Sequence, residues 1–265
     1  MTEKDIASFR AWFRDYVGSF HFSDEKDRKN VALKETHTYN VCRNIVLIAR
    51  ESSLAGGKLI LAESIGLFHD IGRFRQYEKY RTFRDNVSIN HAALGAEILE
   101  GDGILKGLPE DEQDIILSSV KFHNVLAMPD LRDGEALLFL KLIRDADKLD
   151  IWRVFVEYYE SSEEDRASAA GLGLPDTPEY SDEVLSSIFE GRVARLSSLR
   201  TLNDFKITQL SWAYDLNFDK SFRLLRERKY FDKILASLPQ SDEIIRASSL
   251  LRDYIEQRLR GKGRV

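Results

Sequence analysis

The stretch "KLILAESIGLFHDIGRF", Lys58–Phe74, governs how the rest of the chain is read. From Lys58 to Asp70 it is apolar on nearly every side, which suits a central helix buried all round. That helix ends in an adjacent pair, His69 and Asp70, just ahead of Gly72. A His-Asp pair at a helix end is a weak signal by itself. Its meaning depends on the partners that the other segments supply.

Helical patterning extends on both sides of this stretch. Upstream, helices are expected over Lys4–Phe20 and Arg28–Glu51, the second stopping near Gly56 and Gly57. Downstream, the run "RFRQYEKYRTFRDN" (Arg73–Asn86) reads as a charged loop, and Ser88 as the N-cap of a helix to Glu100. Pro109 sits where helices begin, with Glu110 and Asp111 in the first turn of a helix ending about Asn124. A loop with Pro129 and Gly134 leads into a long helix over Glu135–Glu160. Ser161–Tyr180, holding Gly171, Gly173, Pro175 and Pro178, reads as a loop. Ser181-Asp-Glu and Ser241-Asp-Glu resemble helix starts, and Ser181 to about Arg260 reads as helical hairpins. The expected fold is therefore all-α, with a core over residues 1–160 and a helical extension over 161–265 packed against it.

Composition narrows the function classes. With 43% hydrophobic and 31% charged residues, a packed core is expected. The formal net charge of −5 gives no basic field to recruit nucleic acid, and the basic run Arg258–Arg264 is short, glycine-broken and read as a frayed tail. Cys42 is the sole cysteine, which excludes an internal disulfide and a cysteine-rich zinc site; its apolar helical setting suits a buried structural thiol. The N-terminal "MTEKDIASFR" has no apolar signal core, and no apolar run is long enough to span a bilayer, so a cytoplasmic protein is expected.

The histidines supply the partners. Leu33, His37, Val41, Ile45 and Ile48 are spaced four, four, four and three, along one helical face. His69 follows Ile65 by four residues; His91 shares a face with Leu94, Gly95 and Ile98; His123 shares one with Ile116 and Val120. On the long helix, Asp147 interrupts the stripe Leu140, Ile143, Ile151, Val154. A buried unpaired carboxylate costs roughly several kcal/mol, so it needs a cation or donors, which Arg144 or Lys148 would also provide. Any one inward histidine is more often a core residue bonded to a carbonyl. Four imidazoles and two carboxylates directed inward from five helices are better satisfied by metal ions, and nitrogen and oxygen ligands suit Fe, Mn, Zn or Ni. His21, in "SFHFSD", belongs to no such stripe.

The order His37 … His69-Asp70 … His91 … His123 … Asp147, with "ETHTYNV", "LFHDIGR", "NHAALGAEIL" and "RDADKLDIW", resembles the HD superfamily of metal-dependent phosphohydrolases over roughly residues 30–155. The resemblance implies a helical HD core in which His37, His69, Asp70 and Asp147 hold a first metal. His91 and His123 would hold a second, with Asp70 bridging. Neither ion would be saturated by protein, leaving water or hydroxide to complete the site. "LSWAYDLNF" (Leu210–Phe218) attaches to no mechanism.

The chemistry implied is hydrolysis of a phosphate ester or anhydride, with a nucleotide among the candidate substrates, by hydroxide held at two divalent ions roughly 3.5–4 Å apart. Asp70 would carry the shared coordination. Arg73, following "HDIG", is the first candidate to contact the anionic substrate, and Lys148 the second; the remaining loop cations Arg75, Lys79, Arg81 and Arg84 are equally well read as solvated. Tyr77, Tyr80 and Phe83 suit base stacking or packing against the domain. The same six-residue order also resembles the HD-fold mixed-valent diiron oxygenases, and a third reading is a degenerate HD domain that only binds. Substrate and metal identity stay open, as does whether the C-terminal helices cap the site, complete the core or join copies in a homo-oligomer.

Overall fold

The computed structural model describes residues 1–131, 134–161 and 173–261, and among these there is no β-strand. The expected all-α class holds. The described chain forms two compact units, the first being Met1–Asp150 and the second starting at Ile151. The division falls within one continuous helix. Of the expected loop Ser161–Tyr180, residues 162–172 lie outside the described residues, while 173–180 are non-helical. The last residues of the basic run, 262–264, also lie outside them.

The first unit contains α1 (Glu3–Gly18), α2 (Glu25–Glu51), α3 (Gly57–Phe68), α4 (Ile71–Tyr80), α5 (His91–Asp102), α6 (Glu110–Phe122) and most of α7 (Gly134–Glu160). The centre is α3, whose stretch Ser64–Phe68 is wholly buried. Its Gly66 lets α2 approach closely: a Cβ there would meet Cys42 Cα and Ile45 Cγ2 at 3.1 Å. From the other side, α1 packs with Ile6, Phe9, Phe13 and Val17, at helical spacing, and Phe9 and Trp12 meet the Phe68 ring at 5.1 and 5.8 Å. Burying a ring such as Phe68 contributes roughly 1.5–3 kcal/mol, which anchors the end of α3 where His69 follows. Cys42 is buried at the α2–α3 contact, as expected.

Two local expectations are corrected. Arg73–Tyr80 is helical, not a loop. Its charged residues hide an apolar stripe at helical spacing, Ile71, Phe74 and Tyr77, all buried. The N-cap of α5 is Asn90 rather than Ser88: its side chain accepts from the amides of Ala92 and Ala93 at 3.0 and 3.1 Å. Ser88 instead follows a short 3₁₀ turn, Asp85–Val87.

The second unit holds the end of α7 with α8 (Asp182–Phe189), α9 (Leu202–Ser211), α10 (Asp219–Glu227), α11 (Tyr230–Ala236) and α12 (Asp242–Leu259). Buried α9 is organised by Asp204, whose carboxylate accepts from Ser181 N and Oγ and from the amides of Arg200 and Thr201 at 2.6–3.1 Å. Trp152 Nε1 donates to the Gln209 carbonyl at 3.1 Å. The "LSWAYDLNF" segment closes α9 through a 3₁₀ turn, Trp212–Asp215. No helix among the described residues is long and apolar enough to cross a membrane.

Candidate metal centre

Six side chains from the sequence reading converge in the first unit. His37 lies mid-way along α2. His69 caps the C-terminus of α3 and Asp70 the N-terminus of α4, so the dipeptide joins two helices. His91 opens α5, His123 caps the C-terminus of α6, and Asp147 projects from α7. The four histidines and Asp70 are at most 5% exposed, whereas Asp147 is only half-buried. His21 is exposed and outside the group.

The imidazoles form two pairs. His37 and His69 set their Nε2 atoms 3.2 Å apart, and His91 and His123 set theirs 3.1 Å apart. Every Nδ1 faces an acceptor. His69 Nδ1 lies 2.8 Å from the Gly66 carbonyl and His123 Nδ1 2.7 Å from the Val120 carbonyl, each reaching three residues back to an unpaired carbonyl of the last helical turn. His37 Nδ1 lies 2.8 Å from Asp150 Oδ2, and His91 Nδ1 2.7 Å from Asp85 Oδ2. These acceptors keep the Nδ1 protons in place, so a neutral ring presents a bare lone pair at Nε2. Two lone pairs about 3 Å apart cannot bond one another. Each neutral pair therefore needs a proton or a metal ion between or beside it, and the outer contacts to carboxylates and carbonyls are those that metal-bound histidines make.

Asp70 joins the two pairs. Its Oδ2 lies 3.6 and 3.7 Å from Nε2 of His37 and His69, and its Oδ1 lies 3.2 and 3.8 Å from Nε2 of His91 and His123. His37, His69 and Asp70 can converge on one ion; Asp70, His91 and His123 can converge on another. Asp147 Oδ1 stands 3.0 Å from His37 Nε2 and 3.7 Å from His69 Nε2, on the side of the first pair. The donor set is wholly nitrogen and oxygen, which fits divalent transition ions.

Charge is distributed unevenly around the pairs. Burial and the Lys34 ammonium oppose protonation of His37, yet its bonds to Asp147 and Asp150 outweigh them and raise its pKa to about 9. Burial, with His91 and His69 alongside, pushes His123 down to about 3. Burial works against ionisation of Asp70, but Lys34, His69, His91 and Arg73 hold its carboxyl well below the usual range. Asp147 is held low, against its burial, by bonds from His37 and His69.

Three participants escaped the sequence reading. Asp150 orients His37 and lies three residues, about one turn, beyond Asp147; that spacing was the available signal. Asp85 orients His91 and also accepts from Arg73, Gln76 and Asn124, but it sits in a turn with no periodicity to mark it. Lys34 Nζ donates to Asp70 Oδ2 at 2.7 Å, from one turn ahead of His37 on α2. Arg73 points inward: its Nη1 donates to Gln76 Oε1, Asp85 Oδ1 and the Phe83 carbonyl, and its Nε lies 3.4 Å from Asp70 Oδ1. Lys148 Nζ lies 3.4 Å from the Arg144 carbonyl on its own helix. Arg144 donates to the His123 and Val125 carbonyls, closing the end of α6.

Gly72 explains how Asp70 comes to meet His91. A Cβ at Gly72 would lie 2.1 Å from the His91 carbonyl oxygen and 2.8 Å from the Gly95 amide nitrogen. Only glycine lets α4 and α5 touch backbone to backbone at this point.

No match to the chain was found among curated proteins or among solved structures. A family model described as "HD domain" matches residues 35–152, a span that starts two residues before His37 and ends five after Asp147. All six clustered side chains fall inside it. Domains of this kind belong to a family of metal-dependent hydrolase type. Residues 35–152 thus match the HD domain family, and the His/Asp cluster assembled within them is consistent with the metal site of such a domain.

Proposed function

We propose that this chain is a metal-dependent phosphohydrolase acting on a small phosphate ester or anhydride at a dinuclear centre. The observation that carries the reading is the division of Asp70, one oxygen toward each histidine pair. His37, His69, Asp70 and Asp147 would hold the first ion and His91, His123 and Asp70 the second. When bound, two divalent ions of Fe, Mn, Ni or Zn supply Lewis acidity toward a phosphoryl group and lower the pKa of an attacking water.

The chain's own residues prepare that chemistry. Asp150, Asp85 and the two helix-end carbonyls fix the ring orientations and retain the Nδ1 protons. Arg73, tied to Asp85 and the Phe83 carbonyl, acts as a positioning residue behind Asp70. We assign Lys148 the second cationic role, on the Asp147 side. The four histidines and Asp70 are themselves at most 5% exposed, and that shelter from water strengthens the charge interactions among them.

The test is to strip the protein with chelator, reload it with manganese, and follow nitrophenol release from a nitrophenyl phosphodiester and monoester. Two equivalents of metal and metal-dependent release are expected. Less than half an equivalent of any transition metal, with no gain on reloading, overturns the reading. A mixed-valent diiron signal in aerobic protein without phosphate release would replace it with the oxygenase.

A further inference from the structure

The two halves of the centre differ in one respect that the ligand residues do not explain. Asp70 Oδ2, facing His37 and His69, already accepts from an ammonium, Lys34 Nζ, at 2.7 Å. Asp70 Oδ1, facing His91 and His123, has Arg73 Nε at 3.4 Å, and that nitrogen makes no hydrogen bond. The two cations are also held differently. Arg73 is anchored through Nη1 by Gln76, Asp85 and the Phe83 carbonyl. Lys34 has Asp70 as its hydrogen-bond partner, lies 5.5 Å from the centroid of the Phe83 ring, and retains 17% side-chain exposure. A four-carbon stem with a solvent path lets the ammonium swing away; the anchored guanidinium stays.

From this we infer that Lys34 is a positioning residue that competes with the first metal for Asp70 Oδ2, so that the His91–His123 half loads first and the His37–His69 half second. A divalent ion entering the first half must displace an ammonium from its shared carboxylate oxygen. An ion entering the second half displaces no ammonium from Oδ1; it replaces only the 3.2 Å contact with His91 Nε2, which is itself one of its ligands. Once displaced, the ammonium stands beside the centre as a mobile cation for an anionic substrate. The inference rests on the proposed dinuclear site but not on the reaction it performs.

The experiment is a manganese titration of the chelated full-length chain by calorimetry, with metal content measured after dialysis. Wild type is expected to bind in two unequal steps. In K34Q the weaker step tightens on the order of tenfold or more, because a unit charge about 3 Å from a ligand oxygen is removed. K34R, which keeps the charge, should retain the wild-type separation. An H123A background, which removes the second half, assigns the step: its remaining binding should tighten on adding K34Q. If K34Q leaves the weaker step unchanged or weakens it while two equivalents still bind, the competition is refuted and the dinuclear site stands. If neither protein binds manganese, the dinuclear site fails and the inference with it. Loss of phosphate-releasing activity alone bears only on the reaction.

Discussion

Gly72→Ala offers a direct test of how the backbone builds the centre. The added methyl would sit 2.1 Å from the His91 carbonyl oxygen, 2.8 Å from the Gly95 amide nitrogen and 3.1 Å from the His91 carbonyl carbon. All three are backbone atoms of α5 and cannot rotate aside. Reaching ordinary contact at 3.4 Å requires about 1.3 Å of separation between α4 and α5. Asp70 caps α4 and His91 opens α5, so the same separation lengthens the 3.2 Å approach of Asp70 Oδ1 to His91 Nε2. The cost should lie at the upper end of the ~1–3 kcal/mol typical of overpacking. For a chain of this size that corresponds to a drop in Tm on the order of 5–10 °C. Calorimetry of the chelated variant reads the stability, and metal analysis after reloading reads the site. Loss of the equivalent held by His91 and His123 is expected, with the other retained. Gly95→Ala is the control, because its Cβ would meet side-chain methyls of Ile71 and Val120 at 3.2 Å, which can give way. A Gly72→Ala protein with wild-type Tm and two full equivalents would refute the reasoning.

Other predictions follow from the same geometry. Asp70→Ala should remove both metals together, whereas His123→Ala should remove one; elemental analysis separates these, and a fully loaded Asp70→Ala protein would end the bridging role. The His37 pKa, raised from its usual 6.5 to about 9, stabilises the chelated fold below about pH 6.5, and that contribution is lost as pH rises through 9. Metal binding must expel this proton, so apparent affinity should rise close to tenfold from pH 7 to 8 and less steeply toward pH 9, and a flat profile by calorimetry would argue against it. Burial pushes the Cys42 thiol pKa up, so it should resist a disulfide-exchange reagent in the folded protein and react fully in denaturant. Fast reaction of the native chain would mean that the α2–α3 contact opens readily.

What could be read from the sequence alone followed periodicity. His37, His91 and His123 were found because each interrupts an apolar helical stripe, and Asp147 because a carboxylate there is out of place. The long apolar run before His69 likewise identified the central helix. Residues acting through other residues were not legible in this way. Asp85 lies in a turn after α4, and its role depends on α4, α5 and α6 meeting around it. Lys34 reads as an ordinary surface lysine until Asp70 is brought to its ammonium. The α4 helix was hidden because charge density outweighed three apolar positions. The purpose of Gly72 depends on the distance between two helices, which no single segment encodes.

The placement of the six ligands also bears on the timing of assembly. Only His69 and Asp70 are neighbours in the chain; their partners come from residues 37, 91, 123 and 147. An unfolded chain can therefore offer an ion little more than one adjacent pair. The remaining donors arrive only when contacts spanning tens of residues have closed, which is the slow part of folding. Tight metal uptake thus reports that the domain has finished folding. In a refolding experiment, metal capture should lag the recovery of helical signal and coincide with burial of the α3 core.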